Sequence, residues 1–262
     1  MENKLLKGSA YLSKAPNLWA SCSSPQPHAR LRLFCFPYAG AGSSTFNSWY
    51  RSLPAEIELH LVHIPGRDKR FAESPSTNLM SLAGSIAEGI YPFLDKPFAF
   101  YGHSMGGLLS FEVARRLRDQ YSVHPVHLFI SSHRAPQLPD PGPELHHLPD
   151  EELLQEVQVL YGALPEIVLQ DPEILRLFLP IMRADFAMIE SYRYEPGAPL
   201  QCPITVFGGI QDGAVNQEEL AAWHEQTVVQ FEMQMFEGDH FFIQAKRAEI
   251  LRAIHKDVFA RL

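Results

Sequence analysis

The segment Gly102–Gly106 (GHSMG) has the form G-x-S-x-G, in which the central residue, Ser104, can act as a nucleophile. The apolar run Phe98–Tyr101 before it predicts a strand, and Met105–Gln120 after it predicts a helix. A serine at so sharp a strand-to-helix turn projects at the helix N-terminus, and the flanking glycines keep the turn free of clashes. The alternative is a glycine-rich turn whose serine has no catalytic role. This alternative loses support only if an acid and a base follow in the sequence.

A serine hydroxyl needs a base, and the base needs an acid to orient it. Asp212 follows the strand-like run Ile204–Phe207, and His240 follows the run Phe231–Phe236, so both lie in loops just beyond strands. The order Ser, Asp, His along the chain is that of α/β hydrolases. Of the 12 histidines, only His240 satisfies both order and position. Asp239 competes for the role of the acid, but it would have to bend back to reach the adjacent imidazole.

Acyl transfer also needs N–H donors for the oxygen that becomes negative. The backbone N–H of Met105 is one candidate, because it directly follows the serine. The loop Phe36–Ser44 is rich in small residues and follows an early strand, and its amide at Ala39 or Tyr38 is the second candidate. The phosphate-binding pattern G-x-x-x-x-G-K-[ST] and the dinucleotide-binding pattern G-x-G-x-x-G are absent, and we predict no cofactor or metal site.

Short apolar runs alternate with amphipathic stretches along the chain. This pattern predicts an α/β protein in which helices flank a mostly parallel central sheet. Together with the G-x-S-x-G turn and the order Ser, Asp, His, it indicates the α/β-hydrolase fold. The predicted strands are Leu31–Phe36, Leu59–Ile64, Phe98–Tyr101, Val126–Ser131, Ile204–Phe207 and Phe231–Phe236, and the predicted helices are Leu79–Leu94, Met105–Gln120, Glu218–Gln226 and Arg247–Leu262. We expect a loose N-terminal leader over residues 1–29 and a single domain over residues 30–262.

The segment from about residue 133 to residue 200 contains no strand-like run. Proline-rich turns enclose two helical patterns there, Leu153–Tyr161 and Pro172–Tyr192. Ligands of parallel sheets bind beyond the carboxyl ends of the strands, so we predict that this helical insertion is a lid over the site. A purely structural elaboration is the alternative.

The formal net charge of −8 argues against a nucleic-acid-binding protein, which would carry a basic surface. Lys7, Lys14 and Pro16 interrupt every apolar run near the N-terminus, so we predict no secretory signal, no membrane segment and a cytoplasmic location. The three cysteines are scattered and predict no disulfide framework. A monomer is the default expectation.

Several stretches together resemble those of the type II thioesterases, the stand-alone editing enzymes of nonribosomal peptide and polyketide synthases. They are FPYAGAGSS, HIPGRDKR, GHSMGGLLSFEVARRL, IMRADFAMIESYRY, GGIQDGAV and GDHFFI. The resemblance implies an enzyme that has no cofactor of its own. Its substrates would be acyl or aminoacyl groups on the phosphopantetheine arm of acyl or peptidyl carrier protein domains. The resemblance also implies that Ser104, Asp212 and His240 form a catalytic triad.

The same resemblance assigns the oxyanion hole to the amides of Met105 and Ala39. The loop around Ala39 reads YAGAG, where many relatives carry His or Phe before Ala-Gly-Gly, and this difference bears on the shape of the pocket rim. The insertion would shape an acyl chamber. The alternative is that its apolar residues only form the core between helices. The candidate lining residues are Tyr38, Met182, Phe186, Met188 and Ile189.

Arg67, Lys69 and Arg70 form a small basic cluster, which we predict to be a solvated loop. Docking of an acidic carrier protein is the alternative.

Two alternative functions remain open. A carboxylesterase, lipase or acyltransferase of the same fold is the first, because it passes through the same acyl-serine. A non-catalytic acyl-binding module is the second, although such proteins usually lack a member of the triad.

Overall fold

Seven strands form one sheet in the order β1-β3-β2-β4-β5-β6-β7 in the computed structural model, which describes residues 18–140, 142–162 and 170–260. Strands β1 to β7 are Ala20–Ser21, Leu31–Phe36, Ile57–Val62, Phe98–His103, His127–Ser131, Ile204–Gly209 and Phe231–Phe236. β1 pairs antiparallel with β3, and the other neighbouring strands are parallel. The prediction of a mostly parallel sheet is therefore confirmed.

Helices cover both faces of this sheet. They include α1 (Leu79–Ile90), α2 (Met105–Tyr121), α3 (Asp150–Tyr161), α4 (Pro172–Glu190), α5 (Gln217–Ala221) and α6 (Arg247–Phe259). α1 and α2 pack on one face through residues such as Ile86 and Leu109, whereas α6 packs on the other through Ile250 and Ile254. Strands β2 to β6 are thus buried on both sides, which explains their mostly apolar sequences.

The observed elements differ from the predicted ones mainly at their ends. β3 begins and ends two residues earlier than predicted. β4 and β6 are each two residues longer, because Gly102–His103 and Gly208–Gly209 still pair with neighbouring strands. α1 ends at Ile90 and continues as a 3₁₀ turn, and α6 ends at Phe259. These differences leave the predicted loops at the carboxyl ends of the strands in place.

The short strand β1 lies within the predicted leader and escapes prediction from the sequence. Its two residues pair with β3. The carbonyl oxygen of Trp19 accepts the N–H of His63 at 2.8 Å, and the Arg70 guanidinium lies 3.8 Å from the centroid of the Trp19 ring. Residues 19–21 are therefore anchored to the sheet rather than loose, because they hydrogen-bond its edge. Residues 1–17 of the predicted leader lie outside the described residues.

Between β5 and β6 the chain forms α3 and α4, close to the two predicted helical patterns. α4 begins after Asp171, whose side chain accepts the N–H of Glu173 at 2.9 Å, and ends two residues earlier than predicted. Apolar side chains of both helices form a separate core cluster that includes Leu153, Val157 and Phe186. Within the described ranges, no helix combines the length and the apolar character needed to cross a membrane.

A pH dependence of stability follows from His63, a buried side chain held between two serines. Its Nδ1 lies 3.0 Å from Ser43 Oγ and its Nε2 lies 2.8 Å from Ser21 Oγ. Burial lowers the pKa of His63 from 6.5 to about 4. Below pH 6.5 the unfolded chain binds a proton that the folded chain binds only near pH 4, so stability falls as the pH drops between these values. We expect His63 to account for a loss of about 2 kcal/mol between pH 7.5 and pH 5.

Urea unfolding at the two pH values measures this loss. The variant His63→Gln can still hydrogen-bond to both serines but does not titrate in this range. Its free energy of unfolding should fall by about 2 kcal/mol less than that of the parent. Equal losses in parent and variant would contradict the assignment to His63.

Candidate active site

Ser104 lies at the turn between β4 and α2, with a backbone conformation that few residues other than glycine adopt (φ 52°, ψ −123°). Its N–H donates to the carbonyl oxygen of Ser131 on β5 at 2.7 Å. A Cβ on Gly106 would lie 2.2 Å from the carbonyl oxygen of Phe36, and a Cβ on Gly102 would lie 2.1 Å from the carbonyl oxygen of Gly106. Close packing therefore requires both glycines, as predicted.

Asp212 and His240 lie in adjacent loops beyond β6 and β7. His240 Nδ1 is 3.0 Å from Asp212 Oδ2 and 3.1 Å from Oδ1, and both side chains are almost fully buried. Oδ1 also accepts the N–H of Ala214 at 2.9 Å. Burial raises the pKa of Asp212, but the hydrogen bond and charge of His240 and the Ala214 N–H lower it more, so that the pKa lies below its ordinary value. The carboxylate is thus ionised at neutral pH and favours the tautomer in which Nε2 can act as a base.

The competing residues have other partners. Oδ1 of Asp239 accepts the N–H of Phe241 at 2.8 Å, so this carboxylate caps the turn that carries His240. His103 is fully buried, and its Nδ1 lies 2.8 Å from Ser131 Oγ. Burial, and then the nearby charge of His240, lowers the pKa of His103 well below its ordinary value. His103 therefore stays neutral, and the structure brings Asp212, rather than Asp239, to His240.

Two cavities meet at Ser104 and His240, and both residues line each of them. The first, which we call the apolar cavity, has a volume of about 400 Å³ and a mostly apolar lining. Three of the predicted chamber residues, Tyr38, Met182 and Phe186, contribute to this lining. The serine thus opens onto a space of the size that binds small molecules.

The other two predicted chamber residues lie elsewhere. Ile189 lines the second cavity. Met188 is fully buried in the main core with the helices on one face of the sheet, and the prediction that it lines the chamber is wrong. The physical reason is helical spacing: Met182 and Phe186 are four residues apart and share a face, whereas Met188 is two residues further on and faces away.

The second cavity, which we call the polar cavity, has a volume of about 320 Å³ and is lined in part by Arg134, Asp140 and Glu190. Arg134 Nη1 lies 2.9 Å from Asp140 Oδ1, and its Nη2 donates to the carbonyl oxygen of Ala214 at 3.2 Å. The same three charged residues also line a larger cavity of about 710 Å³. The polar cavity therefore adjoins further space on the side away from the apolar cavity.

Tyr161, the last residue of α3, and Phe186 line both cavities that meet at the serine. The centroids of the Tyr161 and His240 rings are 4.8 Å apart, with an interplanar angle of 66°. Burial raises the pKa of Tyr161 to about 12, so its hydroxyl is neutral. The sequence carries no signal for this role, because a tyrosine at the end of a helical pattern is ordinary.

The two predicted oxyanion donors lie beside the nucleophile. Met105 is the first residue of α2, so its N–H has no acceptor within the helix. Ala39 lines the apolar cavity together with Ser104. The backbone amide of Tyr38 is the alternative donor, and the ring of this residue contacts Phe241 with centroids 5.1 Å apart. These positions are compatible with the predicted oxyanion hole.

The basic cluster is not the solvated loop that the sequence predicts. Arg67 and Arg70 are buried, and Lys69 alone of the three is exposed. Arg70 Nε donates to Glu73 at 2.7 Å, and Arg67 forms two hydrogen bonds with Asp185. Ion pairing makes the burial possible, since an unpaired buried charge would be very costly. Two of the three charges therefore face inward and offer no surface for docking.

The sequence assigns no role to Asp185, although it lies in the stretch IMRADFAMIESYRY; in the structure it is fully buried and contacts the loop that carries Ala39. A signal for it does exist in the sequence. Asp185 lies three residues after Met182 and four before Ile189, so it places a charge within an apolar helix stripe. Such a position indicates a buried partner, but not which one.

One set of three possible metal ligands lies within the described ranges. Ligand atoms of Cys22, Glu58 and His60 are all within 4.8 Å of one another. The Glu58 carboxylate already accepts from Arg32 Nε at 2.9 Å and from the N–H of Gln26 at 3.0 Å. A cation would have to displace that guanidinium, so the local charges do not favour a metal.

The chain is similar to known thioesterases over most of its length. A sequence model of the thioesterase domain family matches residues 31–258. The gramicidin S biosynthesis protein GrsT of Aneurinibacillus migulanus is 46% identical over 242 residues, which cover 92% of this chain and 94% of that protein. The structure of the type II thioesterase BorB from the borrelidin biosynthetic cluster matches with a TM-score of 0.84 and 34% identity, covering 92% of this chain and 98% of that one. The RedJ thioesterase from the prodiginine pathway in Streptomyces coelicolor matches with a TM-score of 0.80 and 35% identity, covering 86% and 85%. The chain therefore belongs to the thioesterase domain family and is a hydrolase that acts on thioesters.

Proposed function

We propose that this thioesterase hydrolyses acyl or aminoacyl groups on the phosphopantetheine arm of carrier protein domains, and so clears misprimed or stalled units from nonribosomal peptide and polyketide synthases. The observation that carries the proposal is the buried Asp212–His240 pair beside Ser104, where an apolar and a polar cavity meet. The relatives named for the gramicidin S, borrelidin and prodiginine pathways support this choice of substrate. A cytoplasmic location belongs to the same proposal.

The proposed reaction uses only side chains and backbone amides of this chain. Ser104 attacks the thioester carbonyl while His240 takes its proton, and Asp212 stabilises the imidazolium. The oxyanion accepts hydrogen bonds from the backbone N–H groups of Met105 and Ala39. The intermediate then expels the pantetheine thiol, which receives the proton from His240. His240 next takes a proton from a water molecule, which attacks the acyl-serine, and returns that proton to Ser104 Oγ as the acid is released. The proposed reaction therefore uses no cofactor.

The two cavities divide the substrate between them. The apolar cavity suits the acyl group, because Met182 and Phe186 offer apolar surface and few hydrogen-bonding groups. The polar cavity suits the arm, whose amides can hydrogen-bond with Arg134, Asp140 and Glu190. α3 and α4 supply walls to both cavities and act as the lid.

Release of a short acyl group from a loaded carrier protein, followed by mass spectrometry, tests the reaction and its nucleophile. Ser104→Ala removes the attacking oxygen and should lower kcat by at least about 10⁴-fold, as in the serine proteases. The parent should prefer the carrier-bound thioester to the matched oxygen ester. Activity confined to the oxygen ester would make the protein an esterase, and an absence of turnover on any substrate would favour an acyl-binding module.

A second pair of variants tests which carboxylate orients the base. Asp212→Asn should lower kcat by about 10⁴-fold, because the amide favours the wrong imidazole tautomer. Asp239→Asn is the matched control, since the asparagine oxygen can still accept the Phe241 N–H, and its kcat should stay within a few-fold of the parent value. A larger loss from the control than from Asp212→Asn would assign the role to Asp239 instead.

The chamber assignment predicts a change in acyl-chain preference. Met182→Ala enlarges the apolar cavity, so the ratio of kcat/KM for octanoyl to that for butyryl pantetheine should rise roughly tenfold. Met188→Ala truncates a methionine that is equally buried on the same helix but packs in the core. It should lower the melting temperature and leave the ratio unchanged. The assignment fails if both variants change the ratio equally.

A further inference from the structure

Asp185 is a fully buried carboxylate on α4. Its Oδ2 lies 2.6 Å from Arg67 Nη1 and its Oδ1 lies 2.6 Å from Arg67 Nη2, in the bidentate geometry that planar guanidinium and carboxylate groups share. Arg67 is also buried. Forming a buried ion pair costs free energy, because both charged groups lose their hydration. Apolar residues of similar size often stabilise a fold as well as such a pair or better. Stability alone therefore does not account for this arrangement.

The pair holds the loop that carries the proposed oxyanion donor. Oδ2 of Asp185 accepts the N–H of Gly40 at 2.7 Å, and Arg67 Nη1 donates to the carbonyl oxygen of Ala41 at 3.1 Å. The Gly40 N–H belongs to the peptide that begins at the Ala39 carbonyl. The hydrogen bond to Asp185 thus restrains the backbone immediately after the Ala39 amide.

A second contact joins the same helix to the same loop. The ring of Phe178 fills the space where a side chain on Gly40 would lie, with its Cζ 2.7 Å from the position of a Cβ. Phe178 also lines the apolar cavity beside Ser104. The loop is therefore held by α4 through both a charged and an apolar contact.

We infer that Asp185 is a positioning residue for the oxyanion hole: held by Arg67, it accepts the Gly40 N–H and aims the preceding Ala39 amide at the carbonyl oxygen of the substrate. The inference rests on the proposed function for the role of Ala39. It also means that α4 contributes to catalysis as well as to the wall of the chamber, because the donor keeps its direction only while α4 stays in place.

The variant Asp185→Asn tests this role, since asparagine keeps the shape and an acceptor oxygen but loses the charge that holds Arg67. Misalignment of one oxyanion-hole donor should lower kcat about 10- to 100-fold, which is somewhat less than the loss from removing the donor. KM should change by less than about threefold. The rate at which a fluorophosphonate labels Ser104, followed by intact mass, should fall by a similar factor. This reaction forms a tetrahedral adduct and needs no knowledge of the natural substrate.

Two further variants separate positioning from folding. Glu58→Gln is the matched control, because Glu58 likewise holds an arginine and a loop N–H, but at the opposite ends of β2 and β3. It should lower the melting temperature and leave kcat and labelling unchanged. The double variant Arg67→Gln/Asp185→Asn also removes the Arg67 charge, which Asp185→Asn leaves unpaired. Its melting temperature should therefore be higher than that of Asp185→Asn, while its labelling rate should stay low.

The outcomes distinguish this inference from the proposed function. If carrier thioesters are not hydrolysed but Ser104 is still labelled, the proposed substrate fails, and the labelling rates continue to test Asp185. Labelling of Asp185→Asn as fast as that of Glu58→Gln, or a change confined to KM, would overturn the positioning role. Full recovery of labelling in the double variant would also overturn it, since the pair would then matter only for folding.

Discussion

The close contact between Gly106 and the carbonyl oxygen of Phe36 is the constraint on which the rest of the site depends. It allows α2 to start directly against the end of β2, so that Ser104 stays at the carboxyl end of a central strand with the loop of Ala39 beside it. β2, β4, β5, β6 and β7 are parallel and adjacent, so the loops that follow them open at one edge of the sheet. Parallel pairing thus brings together residues that lie far apart in the chain.

Much of this arrangement can be predicted because it depends on local signals. Each longer strand is a mostly apolar run bounded by turn residues, and Ser104, Asp212 and His240 each lie in the turn or loop that follows one of these runs. Parallel pairing then places the three side chains near one another, whatever the details of packing. The positions of the strand ends are less certain from the sequence, since glycines such as Gly208 still pair in the sheet although they resemble loop residues.

The features that escape prediction depend on contacts between distant segments. The Arg67–Asp185 pair joins residues 118 positions apart, and the spacing of charges in the sequence makes Arg67 look exposed. Met188 illustrates the other limit. An amphipathic helix in an insertion can turn apolar residues either toward a cavity or toward the core, and periodicity alone does not tell these faces apart. Tyr161 meets His240 because the end of α3 lies against the loop beyond β7, a contact between segments far apart in the chain.

Tyr161 and Phe186 line both cavities that meet at Ser104, and the presence of two cavities has a consequence for the order in which products would leave in the proposed reaction. If the acyl group and the thiol arm occupy different cavities, as proposed, the arm can leave by its own route while the acyl group stays bound to Ser104. In that reaction, water for the second half would enter through the space that the arm has left. In the proposed reaction the free thiol would therefore be the first product to leave and the acid the last.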